Sequence, residues 1–550
     1  MCGIFSILNN TKDETTITRH FVKGRQRGPE NSNIRFLQDG KLIMGFHRLA
    51  INGLEKSANQ PMEIDNCILI CNGEIYNFEA LHKLLNIPNK TGSDCEIIIH
   101  LYKQFGIQQT LQMIDGVFAF TLFDKSSQQI YVARDLFGVR PLFQTEYRDR
   151  TDKHIITYGF ASEIKMLSDL HTKNKLLQAF PPGSYSVLER VMGNIWSYKI
   201  IEEKFTTINT SFNTTIDTLA KAYKLTRDAL MHAVEKRVST TERKYACLLS
   251  GGLDSSLITA IVNQFCKEGE LETYSIGLEG SEDLKYARKV ADFIGTKHTE
   301  IICTEKEFLD AIPEVIQQIE SYDTTTVRAS VGNYLVSKYI SEHSEAKVIF
   351  NGDGADEVCG GYLYFHLAPN AIAFDKECRR LLNDIHLFDV LRSDRSISSN
   401  GLEARTPFLD RYFVQSFLSI LPQFRFEKNR CEKYILRKAF EPLHLLPREV
   451  LFRTKEAFSD GVSSQDKSWF EVIQDHVEQL GSFSLSGMAL FHNKPTTKEQ
   501  IYYRYLFEKH YKSYSSVIPY FWMPKFTDAT DSSARTLNIY KNKISSNENE

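Results

Sequence analysis

Short apolar runs separated by turn residues fill the chain from its N-terminus to about Tyr198, among them KLIMGFHRLAI, CILICNGEIYN, GVFAFTLFD and QIYVARDLFGVRPLF. Runs of that length between turn signals predict strands, and so a sheet-rich first block. Between Ile201 and Thr218 the sequence IEEKFTTINTSFNTTIDT turns polar and threonine-rich, which predicts a linker. Beyond it strand-like runs alternate with helical ones: YACLLS, SSLITAIVNQFC, ETYSIGL, DLKYARKVADFIG and KHTEII. That alternation predicts a parallel sheet flanked by helices. The polar end KNKISSNENE predicts a disordered tail. The expected organisation is therefore a first domain over 1–200, a linker over 201–218, a second domain over 219–540 and a tail over 541–550, with no internal repeats.

A length of 550 residues agrees with two domains that each bury a core. The net charge of -3 offers no broad basic field, so nucleic acid is not an expected partner. The opening MCGIFSILNN lacks the basic start of a secretory signal, and no unbroken apolar run reaches spanning length, so no membrane association is expected either. Ten cysteines occur without a C-x-x-C pair, which suggests neither a zinc knuckle nor a disulfide framework. Cys67 and Cys71 in CILIC read as buried, reduced thiols. The expected compartment is the cytoplasm, where Cys2 also stays reduced.

Chemistry enters with MCGIF. Methionine before a small residue is commonly trimmed, which would leave Cys2 with a thiol and a free α-amino group, a nucleophile beside its own base. An isolated second-position cysteine is more often an accident of the start site, so the rest of the chain decides. In YACLLSGGLDSSLITA a strand runs through Leu249 into Ser250, Gly251 and Gly252, and a helix begins near Asp254, Ser255 and Ser256. Glycines that admit an anion, with hydroxyls and first-turn N–H groups as donors, make a phosphate cradle. No lysine follows the glycines, so it is not the P-loop. The string SGGLDSS resembles the pyrophosphate loop of enzymes that split ATP between its α and β phosphates. A second strand, turn and helix, VIFNGDGADEVCGGYLYFH, packs Asp353, Asp356 and Glu357 into its turn. Singly each reads as an acidic helix cap. Together beside a nucleotide site they suggest magnesium ligands or receptors for a substrate amine. Arg328 in YDTTTVRAS and Lys455 in RTKEAFSDGV are candidate anion binders.

With these strings in hand the chain resembles the glutamine-dependent asparagine synthetases, from Cys2 to about Asp460 and more loosely thereafter. MCGIF, HRLAI, NGEIYN, TGSDCE and RDLFGVRPL resemble a class II glutamine amidotransferase domain. LLSGGLDSS, YDTTTVRAS, GYLYFHLAPNA, EARTPFLD and KEAFSDGV resemble the synthetase domain. The resemblance implies an α+β N-terminal hydrolase sandwich, two antiparallel sheets between helices, followed by an α/β parallel-sheet ATP-pyrophosphatase domain. It implies that Cys2 attacks the glutamine side-chain amide, with Asn72 and the Gly73 N–H donating to the oxyanion. Arg48 would fork onto the α-carboxylate, Glu74 and Asp94 would hold the ammonium group, and Leu49, Ala50, Ile51 and Asn52 would complete the glutamine site. In the second domain, Leu249, Ser250, Gly251, Gly252, Asp254, Ser255, Ile276, Asn351 and Gly352 would bind ATP. Asp353 and Lys455 would assist adenylate formation, while Arg328, Asp356 and Glu357 would bind aspartate or pyrophosphate. Mg2+ is the implied cofactor, held by Asp254 and Asp356. Small-molecule substrates are the implied partners, a homodimer is an open arrangement, and a dry passage for ammonia between the sites is implied as well.

Departures from the family pattern lie at Gln26 and Glu30, where relatives usually read histidine and aspartate, and at Asn351 and Asp353, where they read serine and glutamate. Three rivals stand beside this reading: a synthetase that uses free ammonia, a β-lactam synthetase-like cyclase, and a non-catalytic glutamine or nucleotide sensor. The cyclase usually lacks the cysteine, and the sensor would be expected to have lost Cys2 or part of SGGLDSS. Neither is lost.

Overall fold

The apolar runs of the first block form two six-stranded antiparallel sheets. In chain order the strands are β1 (Gly3–Leu8), β2 (Asn31–Leu37), β3 (Leu42–Arg48), β4 (Met62–Ile64), β5 (Cys67–Ile75), β6 (Gly116–Asp124), β7 (Gln129–Arg134), β8 (Phe143–Arg148), β9 (Ile156–Ala161), β10 (Leu176–Ala179), β11 (Ser184–Val191) and β12 (Ile195–Lys204). One sheet runs β10-β8-β9-β1-β3-β2 and the other β12-β11-β7-β6-β5-β4. Ile4, Leu8, Leu42 and Phe46 of the first sheet pack with Ile68, Ile70, Phe123 and Val132 of the second in one core. The other face of β5, with Cys67, Leu69 and Cys71, packs under Ile97, Ile98 and Leu101. Burial on both faces explains why CILIC is continuously apolar rather than alternating. Helices α1 (Glu14–Val22), α2 (Phe78–Leu85), α3 (Glu96–Met113) and α4 (Ile164–Leu167) complete this part. The result is a sandwich of two antiparallel sheets with helices outside.

The second block forms a five-stranded sheet, β13 (Tyr245–Leu248), β14 (Glu272–Leu278), β15 (Lys297–Cys303), β16 (Val348–Phe350) and β17 (Glu403–Arg405), in the order β15-β14-β13-β16-β17. The pairs β13·β14, β14·β15 and β13·β16 are parallel. Helices α5 (Leu219–Ser239), α6 (Leu253–Asn263), α7 (Glu282–Ile294), α8 (Glu305–Ile319), α9 (Thr324–His343) and α10 (Ala355–Cys359) accompany it. The strand order reverses between β13 and β16. In open parallel sheets, ligands bind outside the carboxyl ends of the strands at such a reversal.

The computed structural model describes residues 1–148, 155–170, 176–191, 194–426, 428, 430–455, 458–464, 467–481, 483 and 492–540. The expected tail, 541–550, lies outside the described residues. Two compact units emerge. The first holds Met1–Thr207 together with Thr240–Arg243 and Ser398–Glu403, and the second holds Ile208–Ser239, Lys244–Ile397 and the described residues from Ala404 onward. The stretch expected as a linker from Ile201 begins instead as strand, because β12 pairs with β11 through Lys204. Two short segments from far along the chain join the first unit, a feature that local patterning does not report. Among the described residues no helix is long and apolar enough to cross a membrane.

Candidate active sites

In the first unit, Cys2 directly precedes β1, which lies between β9 and β3. Its backbone N–H donates to Asn72 Oδ1 at 3.1 Å, and its Sγ lies 3.5 Å from Leu49 O. Asn72 and Gly73 sit on β5, opposite Ala119 and Phe118 of β6. Asn72 Nδ2 is buried without a hydrogen-bond partner. An orphaned buried donor costs about 1–3 kcal/mol, so a site that keeps one is built to receive an acceptor. At Gly73 a Cβ would come within 2.6 Å of Val117 O, so only glycine permits this pairing with β6. Glu74 is buried and accepts from Asn52 Nδ2 at 2.7 Å. Asp94 accepts from the Ile75 N–H at 2.8 Å, and burial pushes its carboxyl up to about 6. Arg48 donates to Glu55 O at 2.9 Å, to Asn59 Oδ1 at 2.8 Å and to Gly53 O, which braces its loop from within. Leu49, Ala50 and Ile51 are buried beside it.

The Cys2 thiol is unreactive in this form. Burial pushes the Cys2 thiol up to about 11, so at neutral pH it is almost wholly protonated. Met1 is attached, and its ammonium donates to Leu402 O at 3.1 Å. Burial lowers that ammonium to about 6. While Met1 remains, the Cys2 nitrogen is an amide with no basic lone pair.

In the second unit, one pocket at the reversal between β13 and β16 brings the second set of predicted residues together. Leu249, Ser250, Gly252, Asp254 and Ser255 line it from the turn between β13 and α6, and Ile276 from β14. Asn351, Gly352, Asp353, Asp356 and Glu357 line it from the turn after β16, and Lys455 closes it. Helix α6 starts at Gly252 with no side-chain cap, so its first-turn N–H groups face the pocket available to an anion. Gly352 passes so close to α6 that a Cβ would lie 2.7 Å from Ser255 N. Gly251 and Arg328 do not line the pocket.

Charge in this pocket is paired. Lys433 Nζ lies 2.5 Å from Asp254 Oδ2 and 2.5 Å from Asp356 Oδ1, while Lys455 Nζ lies 2.8 Å from Asp356 Oδ2. Burial pushes the Asp356 carboxyl up, but Lys433 and Lys455 overcome it and hold the group below its ordinary range. Burial likewise pulls Lys455 down, and Asp356 and Asp254 more than reverse that, so it stays a cation. Asp254 Oδ1 is buried without a hydrogen-bond partner. Beside this cluster Arg392 Nη2 bridges Asp353 Oδ1 at 2.9 Å and Asp389 Oδ1 at 3.0 Å. Asp353 Oδ2 is buried without a partner. Helix α10 is capped at Gly354 with no side-chain hydrogen bond, so Asp353 does not serve as its cap. Asn351 donates to Ser393 Oγ at 2.8 Å and accepts from the Asp353 N–H at 3.3 Å, which holds the acidic turn.

Tyr362 Oη lies 2.5 Å from Glu357 Oε1 and 2.7 Å from Asp389 Oδ2. One phenol proton cannot serve two carboxylates, so a second proton is required. Burial, with the Asp389 charge, raises Glu357 well above the carboxylate range. Burial would raise Asp389 too, but Arg392 holds it well below. Of the two carboxyls, Glu357 is therefore the one that more readily holds the proton.

Lys433, Tyr362, Asp389 and Arg392 were not legible as site residues. Lys433 lies in RCEKYILRK, which reads as a solvated cationic stretch. Its backbone φ of 55° falls in the left-handed region, a strained conformation for lysine that fits a functional position. Tyr362 stands within a quoted motif, whereas Asp389 and Arg392 look like an ordinary ion pair one helical turn apart. Arg328 needs correction as an anion ligand. Its guanidinium is buried and donates to both oxygens of Glu499 at 2.9 and 2.6 Å and both of Asp531 at 2.8 Å.

A cysteine-led sandwich of antiparallel sheets and a parallel-sheet unit with a pyrophosphate-type loop define a glutamine amidotransferase joined to an ATP-using unit. Residues 1–181 match the glutamine amidotransferase domain family, and residues 225–373 and 369–533 match the asparagine synthase family. The glutamine-hydrolysing asparagine synthetase of Gallus gallus is 41% identical over 568 residues, covering 99% of this chain and 100% of that protein. Those of Cricetulus griseus and Homo sapiens are each 40% identical, covering 98% and 99% of this chain and 99% and 100% of theirs. The chain belongs to the asparagine synthase family.

Proposed function

We propose that the protein makes L-asparagine from L-aspartate and ATP, using ammonia released from L-glutamine, with glutamate, AMP and pyrophosphate as the other products. One observation carries the reading: the SGGLDSS loop, the acidic turn and Lys455, from separate parts of the sequence, line one pocket. The relatives named above support it along the whole chain.

At the first site, removal of Met1 exposes the Cys2 α-amino group, which takes the thiol proton directly or through water. The thiolate attacks the glutamine side-chain amide, and Asn72 Nδ2 with the Gly73 N–H stabilises the oxyanion. Ammonia leaves, and water then hydrolyses the glutamyl thioester. Asp94 and Glu74 receive the substrate ammonium group, and Arg48 its carboxylate. At the second site the aspartate β-carboxylate displaces pyrophosphate from the α-phosphorus of ATP, forming β-aspartyl-AMP, and ammonia attacks that acyl carbon. The first turn of α6 with Lys455 binds the departing phosphates, and Lys433, behind the lining, holds Asp254 and Asp356 in place. The partnerless oxygen of Asp254 beside Asp356 fits a magnesium ion shared with phosphate oxygens, which needs only one or two carboxylates. Magnesium would neutralise charge on those phosphates. The cytoplasm is the compartment we assign, since all ten cysteines are unpaired.

Incubation with aspartate, magnesium-ATP and either glutamine or ammonium tests this directly. Asparagine, AMP and pyrophosphate should form in step, and oxygen label in the aspartate β-carboxylate should reach AMP. ADP and phosphate as products would overturn the assignment of the loop.

A further inference from the structure

The connector from α5 to β13 belongs to the first unit over Thr240–Arg243, and it bonds to four consecutive residues of the loop after β3. Thr240 O accepts from Asn52 Nδ2 at 3.1 Å, and the Glu242 N–H donates to Ile51 O at 3.2 Å. Glu242 Oε1 accepts from the Gly53 N–H at 2.7 Å. Arg243 Nη1 donates to Ala50 O at 3.0 Å and to Glu30 Oε1 at 3.0 Å. Glu30 Oε2 in turn accepts from the Ala50 N–H at 2.6 Å, and the Glu30 N–H donates to Arg48 O at 3.1 Å. The Ala50 peptide is thus gripped at both ends by one ion pair. Its neighbour Leu49 presents the carbonyl that touches Cys2 Sγ, and Asn52 reaches Glu74.

We propose that Arg243, paired with Glu30, is a positioning residue for glutamine: it fixes the Ala50 peptide and thereby the loop between Arg48 and Gly53. This rests on the first site being a glutaminase. Neither side chain needs to touch the substrate. The pair acts by holding a loop whose main chain must lie within a fraction of an ångström of its productive place. The side chains are 23% and 32% exposed, so the pair is screened by salt and modest in strength. The Glu30 carboxylate, one methylene longer than the usual aspartate, reaches both Arg243 and the Ala50 N–H at once.

Arg243→Met keeps the aliphatic stem and removes the guanidinium. In the full-length enzyme it should raise KM for glutamine about fivefold while kcat for glutamine hydrolysis stays within about twofold. Glu30→Gln should do the same, and the double variant should be no worse than the weaker single one, because both break one grip. Arg243→Lys, which restores the charge, should recover part of the affinity. Synthesis from ammonium should be unchanged throughout. A KM within twofold of wild type in both single variants, independent losses that add, or an equal loss of ammonium-dependent synthesis would each overturn the proposal. If the unaltered enzyme hydrolyses no glutamine at all, the glutaminase reading falls first and takes this one with it, a result distinct from wild-type hydrolysis that the variants leave untouched.

Discussion

The two candidate sites hold their reactive groups in opposite ways. Around Cys2 the decisive features are an inert thiol, a buried amide donor without a partner and a carboxyl lifted to about 6. In the second unit, carboxylates and cations already satisfy one another: Lys433 and Lys455 with Asp254 and Asp356, Arg392 with Asp353 and Asp389. The first site meets a zwitterion whose charges are small and fixed, so a few donors and one ionisable acid suffice. The second must accept a polyanion and release another. Buried lysines can receive phosphates only if something neutralises them in the meantime, since an isolated buried charge costs several kcal/mol.

Breaking the nucleophile should separate the sites most sharply. Cys2→Ala is expected to lower glutamine-dependent synthesis by about 10^4-fold or more and to leave synthesis from ammonium intact. Loss of both activities in a protein of native circular dichroism would contradict the division of labour. An alanine inserted between Met1 and Cys2 should have the same effect, because it denies Cys2 its free amine.

Asp353 probes the charge-paired side. Asp353→Asn preserves shape but removes one of the two carboxylates that pair with Arg392, and should cut pyrophosphate release from aspartate and ATP by about 10^2-fold or more while glutaminase persists. Asp353→Glu should stay within about tenfold of wild type. Normal synthetase turnover in the Asn variant would remove Asp353 from the site.

Lys433→Met tests whether the cation behind the pocket stabilises the fold through Asp254 and Asp356. It leaves Asp254 and Asp356 short of a buried partner and should cost about 3 kcal/mol, seen as a lower urea midpoint. An unchanged midpoint would mean that Lys455 alone compensates both carboxylates.

The smallest effect concerns pH. Asp94 in the empty site takes up a proton as pH falls through about 6, and on the proposed role only its ionised form would hold the substrate ammonium group. Bound glutamine therefore depresses that value, and affinity is full above pH 6 and lost below it. KM for glutamine hydrolysis should rise about tenfold per unit below that point. A flat KM down to about pH 5 would show that Asp94 does not hold the ammonium group.

Legibility differed between the sites for a physical reason. The SGGLDSS loop could be read because glycines opening a helix are contiguous in sequence, whereas Asn72 and Gly73, inside β5, were named only through the family resemblance. The cationic half of the second pocket could not be read. Lys433 and Arg392 look like any surface cation in sequence, while Arg328, read as an anion binder, is taken by Glu499 and Asp531. The connector Thr240–Arg243 was equally hidden, since nothing local to it reveals that it bonds to Ala50–Gly53.

By itself, then, the amino-acid sequence determined a sheet-rich first block, a parallel sheet flanked by helices after it, and the glycine turn that opens α6. Each rests on periodicity or on a short string whose neighbours are also its partners. Only the tertiary structure decided which charge meets which. It set Lys433 between Asp254 and Asp356, Tyr362 between Glu357 and Asp389, and brought Arg243 to Glu30. Such pairings depend on strand order and on what is buried together, because an ion pair's worth is set by distance and desolvation rather than by separation along the chain.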